Sequence, residues 1–168
     1  MDDAGPASII LKLFLLFILI LINAFFAMSE IAIISLNDAK IEKMAEDGDK
    51  KAKQVLKLTK NSSNFLSTIQ IGVTLAGFLT SAVAAQNFAV MLTDALAKTA
   101  VVKVIPVGAI SVISTILITL IMSYFSLVLG ELAPKKFAMQ KPEKISFAVT
   151  PILLGFSKIT KPFVKLLS

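Results

Sequence analysis

The stretch Leu13-Phe-Leu-Leu-Phe-Ile-Leu-Ile-Leu-Ile-Asn23-Ala-Phe-Phe-Ala-Met-Ser-Glu30-Ile-Ala-Ile-Ile-Ser35 decides the fold class. Leu13–Ser29 carries no charge, and the apolar pattern runs on past Glu30 to Leu36. An α-helix needs about 20 apolar residues to cross about 30 Å of hydrocarbon. A β-barrel strand would be half as long and would alternate polar with apolar residues, which this stretch does not. Its acidic start (Asp2, Asp3), its length and the lack of a clear cleavage site distinguish it from a signal peptide. It reads as a retained membrane helix.

Two more neutral stretches follow, Asn61–Thr93, apolar from near Phe65, and Val104–Gly130. The expected spans are therefore about 9–36, 63–93 and 104–130. Ile145–Ser157 has only thirteen residues and contains Pro151 and Gly155, which suits an interfacial or re-entrant helix over about 142–157. Between the first two spans, Asp38–Lys60 places Ile41, Met44, Ala45, Ala52, Val55 and Leu56 along one side, with Gly48 dividing it into two pieces. A solvated connector would look similar, but alternating Lys and Glu with an apolar edge favours an amphipathic belt on the inner leaflet. The expectation is an all-α membrane protein, a single domain over 1–168 with three transmembrane helices, the belt and one short interfacial helix.

Composition agrees. Of 168 residues, 56% are hydrophobic and 17% charged, with a mean hydropathy of +0.84; soluble domains carry about a quarter charged residues. The absence of Cys and His excludes thiol redox chemistry, disulfides, Cys/His zinc sites and every histidine-based nucleophile arrangement. No enzyme is expected, since no soluble catalytic domain is present. All seventeen basic residues are Lys, and the lack of Arg argues against a nucleic-acid partner. Seven lysines lie in Asp38–Lys60 and seven follow Glu131, so two crossings separate two Lys-rich segments. By the positive-inside rule both face the cytosol, which puts the N-terminus outside and the C-terminus inside the cell membrane.

Ionisable residues within spans are costly and point to function. Glu30 and Glu131 qualify, although a wet carboxylate at the inner interface is the plain alternative, especially for Glu131, four residues before Lys135. Polar and small residues share one face on each span: Asn23, Ala27 and Glu30; Gln70, Thr74, Gly77 and Ser81; then Thr115, Thr119, Ser123, Ser126 and Gly130. Helix packing alone explains such stripes, and Gly77, Ser81 and Ala85 fit that role. Depth favours a site. At about 1.5 Å per residue, Glu30, Gln70 and Glu131 all fall in the inner half of the membrane. An oxygen-only pocket suits hard cations such as Mg²⁺, Ca²⁺ or Na⁺. Pro134 lacks a donor and leaves the Gly130 carbonyl without its helical partner, either as a helix break that helps hold a cation or as a simple helix end.

Three motifs carry a family resemblance. Asn23-Ala-Phe-Phe-Ala-Met-Ser-Glu30-Ile-Ala-Ile-Ile-Ser35, Phe65-Leu-Ser-Thr-Ile-Gln70-Ile-Gly-Val-Thr74-Leu-Ala-Gly77 and Gly130-Glu131-Leu-Ala-Pro134-Lys-Lys-Phe-Ala-Met-Gln-Lys-Pro142 resemble, in order and spacing, the three span signatures of the CorC/cyclin M (CNNM) family. The resemblance implies Mg²⁺ transport, usually export coupled to Na⁺ entry, by a homodimer of three-helix membrane domains within the lipid bilayer. It also implies following CBS and C-terminal domains, which do not lie within these 168 residues. Carried over position by position, it makes Asn23, Glu30, Gln70, Thr74, Gly130 and Glu131 the expected metal site. Ser29 is a rim candidate, since it lies about 100° around the helix from Glu30. Animal members have Ser where this chain has Asn23 and Ala27, so Ala27 can offer only its backbone carbonyl. Two rival readings stand beside export of cytosolic Mg²⁺ in exchange for Na⁺: a membrane anchor or assembly module for a cytosolic regulatory domain, and a proton-coupled transporter.

Overall fold

The computed structural model describes residues 5–60 and 62–167. Helix α1 (Pro6–Ile34) opens with a proline in its first turn, where a missing N–H costs nothing. It ends as the Ser35 N–H closes on the Ile31 carbonyl at 2.9 Å. The belt then forms in two pieces. Asn37 caps α2 (Asp38–Glu46) by accepting from the Lys40 N–H, and Asp49 caps α3 (Lys50–Thr59) by accepting from the N–H groups of Lys51 and Ala52. Gly48 joins them at φ +100°, a left-handed conformation that favours glycine. Ile41, Ala45, Ala52 and Val55 form one buried cluster with Phe147 packed against it.

Helix α4 (Ser62–Ala84) passes through a π-helical turn at Ala85–Ala89 into α5 (Val90–Ala97). After a short 3₁₀ turn capped by Thr99, α6 (Val107–Leu127) enters a second π-helical turn, Val128–Leu132, and continues as α7 (Ala133–Gln140). The last helix is α8 (Pro142–Leu167). Three stretches are long and apolar enough to cross a membrane: Ala7–Ile34, Ser62–Ala97 and Val107–Gln140. No strand occurs among the described residues. The protein is an all-α, multi-pass membrane domain.

Two helices run further than their sequence pattern suggests. The third span does not stop near Gly130. The Ala133 N–H reaches back five residues to the Val128 carbonyl, and this π-helical turn absorbs Pro134 into the first turn of α7. Helix α8 continues beyond 157 to Leu167 with Pro151 and Pro162 inside it. A proline removes one hydrogen bond without ending a helix that packing holds in place, and Val149 and Leu153 of α8 are buried in the main core.

That core joins Phe26 and Ile33 of α1, Phe65 and Ile69 of α4, Leu58 of α3, Ala138 of α7, and Ile145, Val149 and Leu153 of α8. Phe26 is its hinge-pin. Its ring lies where any Cβ on Gly72 would come within 2.6–2.7 Å, and it packs on Phe156 at 4.9 Å between ring centres. Large apolar side chains such as Phe14, Phe17, Ile113, Ile116 and Leu120 point outward, as a surface facing lipid requires.

Candidate functional site

The π-helical turn lays Gly130 against α1. A side chain there would have to displace the Asn23 amide: a Cβ would sit 2.9 Å from Asn23 Nδ2 and 3.5 Å from the Ile20 carbonyl oxygen. Across this close approach the Asn23 amide donates to the Gly130 carbonyl at 3.3 Å. In a regular α-helix Pro134 would leave the Gly130 carbonyl without its donor; here the Asn23 amide supplies one. A carbonyl only accepts, so the pairing fixes the Asn23 amide with Nδ2 on Gly130. Its other end, Oδ1, is buried with no partner among the described residues, in a side chain only 5% exposed.

Asn23 forms part of the lining of a cavity of about 400 Å³ between α1, α4 and α6. Thr74, Thr80, Ser81, Ser123, Ser126 and Glu131 line the rest, with Val73, Phe78, Met122 and Leu127 as apolar residues of the wall. Gly77 lines it too, and a Cβ there would meet nothing within 4 Å. Within this chain Gly77 thus opens the cavity rather than seating a neighbouring helix.

Of the residues singled out from the sequence, Asn23, Thr74 and Glu131 line this cavity, and Gly130 is held to it through Asn23. Gln70 does not join them. It shares a helical face with Thr74 and Ser81 but precedes Thr74 by one turn, about 6 Å along the axis, and is exposed. Ser29 is fully buried, with its hydroxyl donating to the Phe25 carbonyl at 2.6 Å. That bond closes within α1. Glu30 stands outside the lining. Its Oε2 is 3.4 Å from the ammonium of Lys135, which also lies 2.8 Å from Glu131 Oε1.

Lys135 was thus missed as a member of the site, although its i, i+4 spacing from Glu131 is a visible sign of an ion pair. Thr80, Ser123 and Ser126 belong to the cavity as well; the hydroxyl stripes pointed to the two serines. The contacts Asn23–Gly130 and Glu30–Lys135 advance in the same direction along both helices, so α1 and α7 pack in parallel.

Comparison with known proteins places the chain. The family described as "Cyclin M transmembrane N-terminal domain" matches residues 14–168. The chain is similar to UPF0053 protein sll0260 of Synechocystis sp., 40% identical over 163 residues, covering 96% of this chain and 35% of the relative. It is also similar to two Bacillus subtilis proteins: UPF0053 protein YugS, 32% identical over 160 residues (95% of this chain, 36% of the relative), and UPF0053 protein YhdP, 33% over 159 residues (95% and 35%). The chain spans about a third of the length of these curated relatives. With the match running from the first span to the last residue, the chain belongs to the cyclin M transmembrane N-terminal domain family.

Proposed function

We propose that this domain transports Mg²⁺, exporting it from the cytosol in exchange for Na⁺, with the cavity between α1, α4 and α6 as its inward-facing ion site. The observation that carries the reading is the Asn23 Oδ1: a buried acceptor without a partner among the described residues, on a residue that lines the cavity beside Glu131. An unpaired buried acceptor costs about 1–3 kcal/mol, and a hard cation would satisfy it. Glu131 supplies the charge, and Thr74, Ser81, Ser123 and Ser126 supply neutral oxygens. Mg²⁺ sheds water reluctantly. Six waters at about 30 Å³ each fit within about 400 Å³, so the ion can enter with much of its shell intact and exchange waters for protein oxygens stepwise.

The rest of the reading follows from charge and family. The lysines favour an N-terminus outside and a C-terminus inside the cell membrane, and the family resemblance favours a homodimer. The assembly-module reading draws on a different observation: Lys135 already satisfies Glu30 and Glu131 from within the chain. It leaves the Asn23 oxygen unexplained.

A calorimetric Mg²⁺ titration of the chain in detergent, beside Glu131→Gln, tests the site. Saturable binding lost in the variant is expected; equal binding by both proteins would reject Glu131 as a ligand, and no binding by either would favour the assembly module. Mg²⁺ flux from loaded liposomes with and without a Na⁺ gradient tests the coupling. Flux that follows a pH gradient instead would favour proton coupling.

A further inference from the structure

We propose that Lys135 is a tethered cation that competes with the transported ion for Glu131, and that Glu30 is the position to which its ammonium withdraws when the ion binds. This rests on the transport reading above and assigns a role to the lysine that pairs with Glu131. The ammonium sits 2.8 Å from Glu131 Oε1 and 3.4 Å from Glu30 Oε2. Only the first of these carboxylates lines the cavity. The two are therefore not equivalent: Glu131 lines the cavity, and Glu30 does not.

Charge decides how the three groups behave together. Two carboxylates against one ammonium leave a single net negative charge. A dication arriving at Glu131 would meet the ammonium at close range and repel it. An ammonium driven from Glu131 would otherwise be left without its ion-pair partner. Glu30 provides one, because its oxygen already lies within ion-pair distance and a small rotation of the flexible lysine stem completes the transfer. When the ion leaves, the ammonium returns to Glu131 and keeps that carboxylate paired. Glu30 is thus a positioning residue that acts on the ion through Lys135.

Calorimetric Mg²⁺ titration of the full chain in detergent separates this from a merely structural ion pair. Lys135→Met should bind Mg²⁺ about three- to fivefold more tightly, the range expected for freeing a carboxylate from a partly exposed ion pair. Lys135→Arg should restore wild-type affinity. Glu30→Gln should weaken binding by a similar factor, and that loss should vanish in the Lys135→Met background. Lys135→Gln, which keeps a hydrogen-bonding side chain, replaces Lys135→Met if the latter does not fold. Unchanged or weaker binding in the neutral Lys135 variants would overturn the proposal. So would a Glu30→Gln loss that persists without the lysine, since Glu30 would then be a direct ligand. If the wild-type chain bound no Mg²⁺, the transport reading would fail and this one with it; wild-type binding with no gain in the neutral variants would sink this one alone.

Discussion

The Asn23 side chain and the Gly130 carbonyl, 107 residues apart in the chain, share a buried hydrogen bond of 3.3 Å that ties α1 to the π-helical turn of the third span. A Cβ on Gly130 would come within 2.9 Å of Asn23 Nδ2. Gly130→Ala should therefore displace the Asn23 amide, while Asn23→Ala removes it. Each change should lower stability by about 1–3 kcal/mol and abolish the Mg²⁺-dependent rise in melting temperature. Because both act on one contact, the double variant should lose much less than the sum. Thermal unfolding in detergent with and without Mg²⁺ measures this, and full additivity would count against the contact.

Gly77 tests the cavity without touching a proposed ligand. A side chain there meets open space, and replacing a helical glycine gains up to about 1 kcal/mol of helix propensity. Gly77→Leu should melt no lower than wild type yet bind Mg²⁺ at least about tenfold more weakly, a loss of about 1.4 kcal/mol. Wild-type affinity in a well-folded variant would place the ion elsewhere.

Gly72 tests the packing that brings α1 and α4 together. Its alanine variant would press a methyl group to within 2.6–2.7 Å of the Phe26 ring. Overpacking of this kind costs about 1–3 kcal/mol. Gly72→Ala combined with Phe26→Leu should recover part of the loss, as read from melting temperatures. A silent Gly72→Ala would mean that the helices separate more freely than their packing suggests.

Asp49 serves as a control remote from the cavity. Its carboxylate accepts from the N–H groups of Lys51 and Ala52 at 2.7 and 3.1 Å. Asp49→Ala should cost about 1 kcal/mol and speed proteolysis between α2 and α3, while leaving the Mg²⁺ titration unchanged. An altered titration would couple the belt to the ion site.

Much of this was legible in the residues themselves. The intervals between charges mark out three spans, Gly48 marks the division of the belt, and Pro134 singles out the Gly130 carbonyl, which meets a donor from α1. What stayed hidden depends on how helices meet. Gln70 has the right face but the wrong level, and level is set by where α4 crosses its neighbours. Lys135 reaches Glu30 only because α1 and α7 run in parallel, a relation that no local pattern contains. The proline at 134 looked like a stop because hydrogen-bond loss is a local rule, whereas the turn that accommodates it is held by packing against α1.

The π-helical turn has one more consequence, which concerns winding rather than chemistry. In a regular α-helix each residue advances about 100°, so Lys135 would stand about 140° around the axis from Gly130. Closing a turn over five residues instead of four brings the two back toward one side, and both meet α1. Deleting Leu129 would return that turn to α-helical closure, with each residue again advancing about 100°, and would undo the shared facing of Gly130 and Lys135. Every ligand would survive such a deletion, and the site would not.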